Sequence, residues 1–288
     1  MTQRISRRAF REVLRAYEPS RYERFGEADP RFKTPMHHAL KNRGRFYAAL
    51  RSGLSHLPAG AATVVDFGPY PGTLLRLIHA LDRDRRVRLV GAGLMARPEF
   101  IQFMKEDCGA DILTVNLDPA AMQFRQKAYP EQVPMPDGSA HLAFALEIIE
   151  HLTSPFHLLA EAFRVLGRGG HLVITTPNVT RVGNLFKLMV GRSPNDRLAP
   201  PGYDNPEDEW RPHAREYAMG ELEQMLTRTG FEIAERRFFL GEDTQDCARK
   251  PRQRLIDLAK APFYVIPHFR GSLLIVGRKP INAVRSEE

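Results

Sequence analysis

The sequence has few cysteines and no long apolar run. Its two cysteines, Cys108 and Cys247, lie far apart and outside any C-x-x-C pattern, which argues against a disulfide framework or a zinc knuckle. No apolar stretch approaches the roughly 20 residues that a membrane-spanning helix needs, and the N-terminus lacks the apolar block of a signal peptide. These absences predict a cytoplasmic protein in a reducing environment.

Excess positive charge is confined to the start of the chain. The 288 residues carry a net charge of +8, yet residues 1–51 alone hold 13 Lys and Arg against 5 Asp and Glu. The remaining residues are neutral overall, with 29 basic against 29 acidic side chains. Because nucleic-acid binding needs clustered positive charge, this distribution argues against a nucleic-acid partner.

Residues 1–57 are predicted to form a basic helical extension. Four apolar residues in it fall at helical spacing: Phe10, Val13, Leu14 and Tyr17. Arginines occupy the positions between them, and a second helical pattern runs from His37 to Leu57. The first helix is expected to pack its apolar stripe on the main domain. Binding to an anionic membrane surface and closure over a substrate are the alternatives.

Residues 58–280 show strands alternating with helices. Seven stretches are predicted to be strands: 63–66, 87–94, 111–117, 140–146, 171–175, 231–239 and 271–278. The pattern predicts an α/β fold with a doubly wound, mostly parallel seven-stranded sheet and helices on both faces. Within it, 178–215 is predicted to be a lid or substrate loop and 241–270 an insertion before the last strand. Residues 281–288 form a tail.

The stretch Thr63–Thr73, T-V-V-D-F-G-P-Y-P-G-T, is the centre of this organisation. Three β-formers lead into an acid, and a turn rich in Gly and Pro then opens onto a helical pattern. A strand, a tight loop and a helix N-terminus are the parts of an α/β fold that usually hold a ligand. We therefore expect the functional site beside this loop.

Motifs farther along the chain specify the family. They are E-I-I-E-H-L at Glu147–Leu152, R-V-L-G-R-G-G-H-L-V-I-T-T-P-N at Arg164–Asn178 and H-A-R-E-Y at 213–217. Together with the loop they resemble class I S-adenosylmethionine-dependent methyltransferases, in particular the bacterial type 11 small-molecule group. Members of that group often modify sugars, lipids or polysaccharide precursors. The resemblance covers roughly residues 60–240.

The resemblance implies a set of cofactor-binding residues in the loop. Asp66, Gly68 and Gly72 match the acid and the first and last glycines of the family's D-x-G-x-G-x-G pattern, and Tyr70 stands where its middle glycine belongs. A tyrosine adopts positive φ only at a cost, whereas flanking prolines can set an extended path. The four residues are expected to contact S-adenosylmethionine.

Two further positions bear on the cofactor. Gly93 occupies the place of the family's ribose-binding acid, so the ribose hydroxyls need another acceptor. The resemblance makes Asp118, after the third strand, an adenine contact. A turn or helix-capping role before Pro119 is the alternative for this acid.

The resemblance also points to the catalytic groups. Glu147 is expected to face the cofactor, and His151 to act as general base on a substrate hydroxyl, with bracing of its own helix as the alternative. His213 aligns with a histidine that related enzymes bring over the pocket. With Glu150 these residues look like the metal-ligand set of small-RNA 3′-end 2′-O-methyltransferases. The E-x-x-E-H run is also common in metal-free members, and no metal is predicted.

The sequence thus predicts an S-adenosylmethionine-dependent methyltransferase acting on oxygen of a sugar-like or other small hydroxylated metabolite. A catalytically inactive binding protein, suggested by Tyr70 and Gly93, and an RNA methyltransferase are the alternatives. The expected partner is a small-molecule substrate. The basic amphipathic stretch Arg252–Arg270 leaves peripheral membrane contact open. The oligomeric state is also left open.

Overall fold

A computed structural model describes residues 5–25, 36–82, 84, 86–94, 97–121, 129–194, 213–240, 258 and 260–282. Most of the predicted lid, at 195–212, lies outside the described residues. So do 241–257 of the predicted insertion and 283–288 of the tail. None of the helices in the described ranges is long and apolar enough to cross a bilayer.

One seven-stranded sheet forms the centre of the structure. Its strands are β1 (Ala62–Phe67), β2 (Val87–Gly93), β3 (Asp111–Thr114), β4 (Ala140–Leu146), β5 (Leu166–Pro177), β6 (Glu232–Phe239) and β7 (Ser272–Arg278). They lie in the order β3-β2-β1-β4-β5-β7-β6. Neighbours from β3 through β5 are parallel, and β7 is antiparallel to both of its neighbours. The predicted fold class is confirmed.

Helices cover both faces of this sheet. They are α1 (Arg7–Ala16), α2 (His38–Lys41), α3 (Arg43–Gly53), α4 (Thr73–Leu81), α5 (Pro98–Cys108), α6 (Pro155–Val165), α7 (Val182–Met189) and α8 (Met219–Thr229). Successive strand residues point to opposite faces. Val64 thus joins a core with α1, α3, α4 and α5, while Val65 joins a core with α6 and α8. The central strands are apolar on both faces for this reason.

The predicted start of β5 needs correction. The G-R-G-G stretch at 167–170 is part of the strand rather than a turn before it. β4 pairs Ala140 with Leu166 and then Leu142 with His171, so the extra residues of β5 bulge outward. Gly169, at φ +74°, supplies the left-handed backbone that this bulge requires.

The N-terminal extension is anchored by a buried carboxylate. Glu23 is fully buried and accepts hydrogen bonds from the Thr73 hydroxyl at 2.6 Å, the Ser20 amide at 3.0 Å, the Tyr17 hydroxyl and Arg76. Phe10 of α1 is buried in the core beside α4. Packing on the domain is therefore what the structure shows for the first amphipathic helix.

Candidate active site

The loop after β1 lies where the strand order changes direction, between β1 and β4. Gly68 and Gly72 have φ angles of +78° and +94°. A Cβ added to Gly68 would lie 2.6 Å from Ile148 Cδ1, and one on Gly72 would lie 2.5 Å from Met104 Sδ. Both glycines are thus required by backbone conformation, and a side chain at either position would also displace a neighbouring side chain. Gly72 is the N-cap residue of α4.

Tyr70 fits the loop without backbone strain. Among the described non-glycine residues only Glu147 has a positive φ, so Tyr70 avoids the left-handed region. Its ring packs against Phe100 at 5.3 Å between centroids and is 43% exposed. The middle glycine of the family pattern is therefore replaceable in this loop.

Asp66 is a buried acceptor near the end of β1. Its side chain is almost fully buried, and no hydrogen bond or ion pair to the carboxylate is found within the described part of the chain. Burial raises the pKa of this carboxyl well above its usual range. A ligand that donates hydrogen bonds or positive charge would satisfy it.

The packing of the loop explains why position 93 is a glycine. Pro69 lies over β2, and a Cβ on Gly91 or Gly93 would come within 2.7 or 3.2 Å of its ring. An acidic side chain at position 93 would require Pro69 to move. The glycine at the position of the family's ribose-binding acid is thus explained by Pro69, which packs against it.

Asp118 holds the segment that follows His151. Its carboxylate accepts hydrogen bonds from the amides of Thr153 at 2.7 Å and Ser154 at 3.0 Å, immediately before α6. The side chain is 1% exposed. This geometry matches the alternative, structural role of the acid, although the amides that it binds lie just before α6 rather than in the turn at Pro119.

Glu147 is held in an unusual conformation at the end of β4. Its φ is +53°, and its amide donates to the Thr175 carbonyl at 2.9 Å. The carboxylate lies 3.3 Å from the guanidinium of Arg45, which α3 contributes from the extension. Glu147 Oε1 and Arg45 Nε are buried and have no hydrogen-bond partner among the described residues. Sequence reasoning missed Arg45, because no local motif marks it.

Glu150 links the two segments that carry the histidines. It is fully buried, and one carboxylate oxygen accepts from the Thr176 hydroxyl at 2.9 Å. Its carbonyl accepts from the Ala214 amide at 2.7 Å. Burial, with the nearby Glu147 carboxylate, raises the pKa of Glu150 well above its usual range. The backbone carbonyl thus brings position 213 beside position 151, while the side chain ties the segment to β5.

The two predicted catalytic histidines meet. The rings of His151 and His213 are 4.7 Å apart between centroids, edge to face. His213 Nδ1 lies 3.7 Å from Oε1 of Glu216. The two terminal nitrogens of Arg181 donate to this carboxylate, one to each oxygen. Burial would raise the pKa of Glu216, but the nearby His213 and the hydrogen bonds from Arg181 and Asn184 outweigh it and bring the pKa to about 2. Glu216 is thus an ionised anchor that sequence reasoning missed.

The same cluster could hold a metal ion. Glu150, His151 and His213 each offer one ligand atom, and these atoms lie within 4.8 Å of one another. One carboxylate oxygen with two imidazoles is a set that suits zinc and related transition metals. Glu147, the fourth residue of the predicted set, pairs with Arg45 instead.

Comparison with known proteins identifies the family. The sequence profile of the methyltransferase-domain family matches residues 36–236. This chain belongs to that family. A protein named as an S-adenosylmethionine-dependent methyltransferase in Mycolicibacterium smegmatis is 26% identical to this methyltransferase over 136 residues, which are 44% of this chain and 46% of the relative. The chain spans about half the length of the curated relatives it matches.

Solved structures share the fold of this methyltransferase. A chain from the complex of the Haloferax volcanii Trm112 methyltransferase activator with its methyltransferase partner is 19% identical at TM-score 0.52, over 83% of this chain and 92% of that one. The cyclase SpnF is 15% identical at TM-score 0.52, over 95% and 93%. At these identities the likeness shows the fold alone, since one fold serves different reactions.

The resemblance inferred from the sequence is therefore confirmed, and S-adenosylmethionine is the cofactor of this methyltransferase family. The residues present fit that group. The buried carboxylate of Asp66 and the unpartnered Oε1 of Glu147 are acceptors without a donor in the described part of the chain. Gly68 and Gly72 carry no side chain, and their positive φ angles shape the loop on either side of Tyr70.

Proposed function

We propose that this methyltransferase methylates a hydroxyl oxygen of a sugar-like or other small hydroxylated metabolite, with His151 as the general base. The observation that carries the proposal is the meeting of His151 and His213 at the carboxyl edge of the sheet, beside an anchored carboxylate. The sugar-like acceptor follows the group that the motifs resemble. The proposal extends the family assignment to a substrate class and to residue roles.

The cofactor would be held around the loop after β1. Asp66, Gly68, Tyr70 and Gly72 are proposed to line its pocket, with Glu147 closing the side toward β4. Asp118 would act on the pocket through the loop whose amides it binds. When bound, S-adenosylmethionine supplies an electrophilic methyl group.

Proton removal is the task of the histidines. A hydroxyl oxygen becomes a better nucleophile when an imidazole accepts its proton, and His151 is proposed for that role. Glu216 lies on the Nδ1 side of His213 and favours a proton there, which leaves Nε2 of His213 as an acceptor. His213 is therefore proposed to orient the hydroxyl or to relay its proton.

Cofactor binding is tested first. Calorimetric titration with S-adenosylhomocysteine should show micromolar binding by the wild-type protein and none by Asp66→Ala. The matched control is Asp137→Ala, an exposed acid on the loop before β4. Absence of binding by the folded wild-type protein would overturn the proposed function.

Catalysis is tested with labelled S-adenosylmethionine and a panel of hydroxylated acceptors. We expect His151→Ala to lower kcat by about 10²–10⁴-fold while KM and S-adenosylhomocysteine affinity stay close to wild type. His157→Ala, which removes a half-buried histidine of α6 that contacts the Glu131 carbonyl, serves as the control. Full activity of His151→Ala would refute the general-base role. Cofactor binding without transfer to any acceptor would favour the inactive binding protein.

A further inference from the structure

Exposed apolar side chains are concentrated in two short segments. Of the twelve large hydrophobic residues described as exposed, eight lie in or directly after α7 or between positions 258 and 266. They are Leu185, Phe186, Leu188, Met189, Val190, Leu258, Val265 and Ile266. Met189, Val190 and Val265 are each at least 70% exposed. Such a concentration marks an interaction surface, because single exposed apolar residues are otherwise scattered.

The two segments belong to one surface, here called the apolar patch. The rings of Phe186 and Phe263 meet edge to face at 5.8 Å between centroids. The side chain of Asn178, at the end of β5, donates to the carbonyls of His268 and Arg270 at 2.8 Å. Thr180 donates to the same His268 carbonyl. These bonds fix the 261–270 turn beside α7.

The two segments that form the apolar patch carry charge of one sign. Lys187 and Arg192 lie on or just beyond α7, and Lys260 precedes the turn. No acidic residue occurs in 179–194 or in 258–282. Apolar side chains surrounded by lysine and arginine are the composition that binds the interface of an anionic membrane.

We propose that the apolar patch docks on an anionic lipid bilayer. A second copy of the chain fits less well, because a twofold contact would place the basic residues of both copies against one another. A bilayer with anionic headgroups instead complements the basic rim while the apolar side chains enter the interface. The inference does not depend on the proposed methyl transfer.

Docking in this way would orient the site. The apolar patch follows the carboxyl end of β5, the same edge of the sheet that carries His151 and the loop after β1. The bilayer would therefore face the side from which an acceptor approaches the histidines. An acceptor held at the membrane surface would then reach the site without leaving the bilayer.

Sedimentation with vesicles tests the proposal on the full chain. We expect the protein to bind phosphatidylcholine vesicles that contain phosphatidylglycerol, and to be released by high salt. The double variant Met189→Glu with Val265→Glu should lower the partition coefficient at least about tenfold, since it adds charge to the face that would enter the bilayer. The control is Ile281→Glu, which changes a 54% exposed residue beside Gly169 at the opposite edge of the sheet.

Three results would overturn the proposal. The first is no sedimentation with phosphatidylcholine vesicles, whether or not they contain phosphatidylglycerol. The second is equal binding to vesicles with and without phosphatidylglycerol. The third is a loss of binding in the Ile281→Glu control as large as that in the double variant. Light scattering after size exclusion provides a separate readout. A dimer that the double variant dissociates would assign the apolar patch to a second copy. Near-ultraviolet circular dichroism confirms that each variant is folded before it is tested.

Discussion

Replacing Glu23 should loosen the N-terminal extension from the domain. In Glu23→Gln the charged acceptor shared by Tyr17, Thr73 and Arg76 is lost. Arg76, whose side chain is 12% exposed, keeps its ion pair with Asp107 at 2.7 Å and its hydrogen bonds to the Tyr17 hydroxyl and the Glu18 carbonyl, both at 3.0 Å. Removing one partner of a buried ion pair costs about 3–5 kcal/mol. For a chain of this size that loss lowers the melting temperature by about 10 °C.

The measurement is differential scanning calorimetry near neutral pH, with Glu12→Gln as the matched control. Glu12 also lies in the extension, but its pair with Arg8 is exposed, so its loss should shift the melting temperature by no more than about 2 °C. Because Thr73 directly follows Gly72, Glu23→Gln should also weaken S-adenosylhomocysteine binding. If the two variants had the same melting temperature, the buried network would not anchor the extension.

Three further outcomes are expected. Gly72→Ala should abolish S-adenosylhomocysteine binding and lower stability in urea titrations by at least about 1 kcal/mol, since φ is +94° and the new Cβ would meet Met104; unchanged affinity would refute the assigned loop. Burial lowers the pKa of His171 to about 4, so the unfolded chain binds its proton more tightly and stability should fall by about 3 kcal/mol from neutral pH to pH ~4. In urea titrations the free energy of unfolding of His171→Phe should not show this loss between neutral pH and pH ~4. Activity should survive EDTA treatment if His151 acts as the base without a metal; loss that manganese or zinc restores would show that the cluster with Glu150 holds a metal.

Local sequence signals predicted most of the fold. The bounds of α5 follow from such signals, since Pro98 starts the helix and Gly109, at φ +70°, ends it. β4 also matches its predicted bounds. Errors occurred where distant pairing decides the boundary. β5 begins five residues earlier than predicted because Leu166 pairs with Ala140 of β4, ahead of the glycine bulge at 167–170.

The sequence by itself determined the loop after β1 and the run that contains His151, because their residue types and spacings are local properties of the chain. Only the tertiary structure decided which groups face them. Arg45 meets Glu147 across about a third of the chain, and Glu216 and His213 reach the site because a buried Glu150 carbonyl binds their segment. Such partners depend on how the sheet brings distant segments together, and residue spacing carries no record of that geometry.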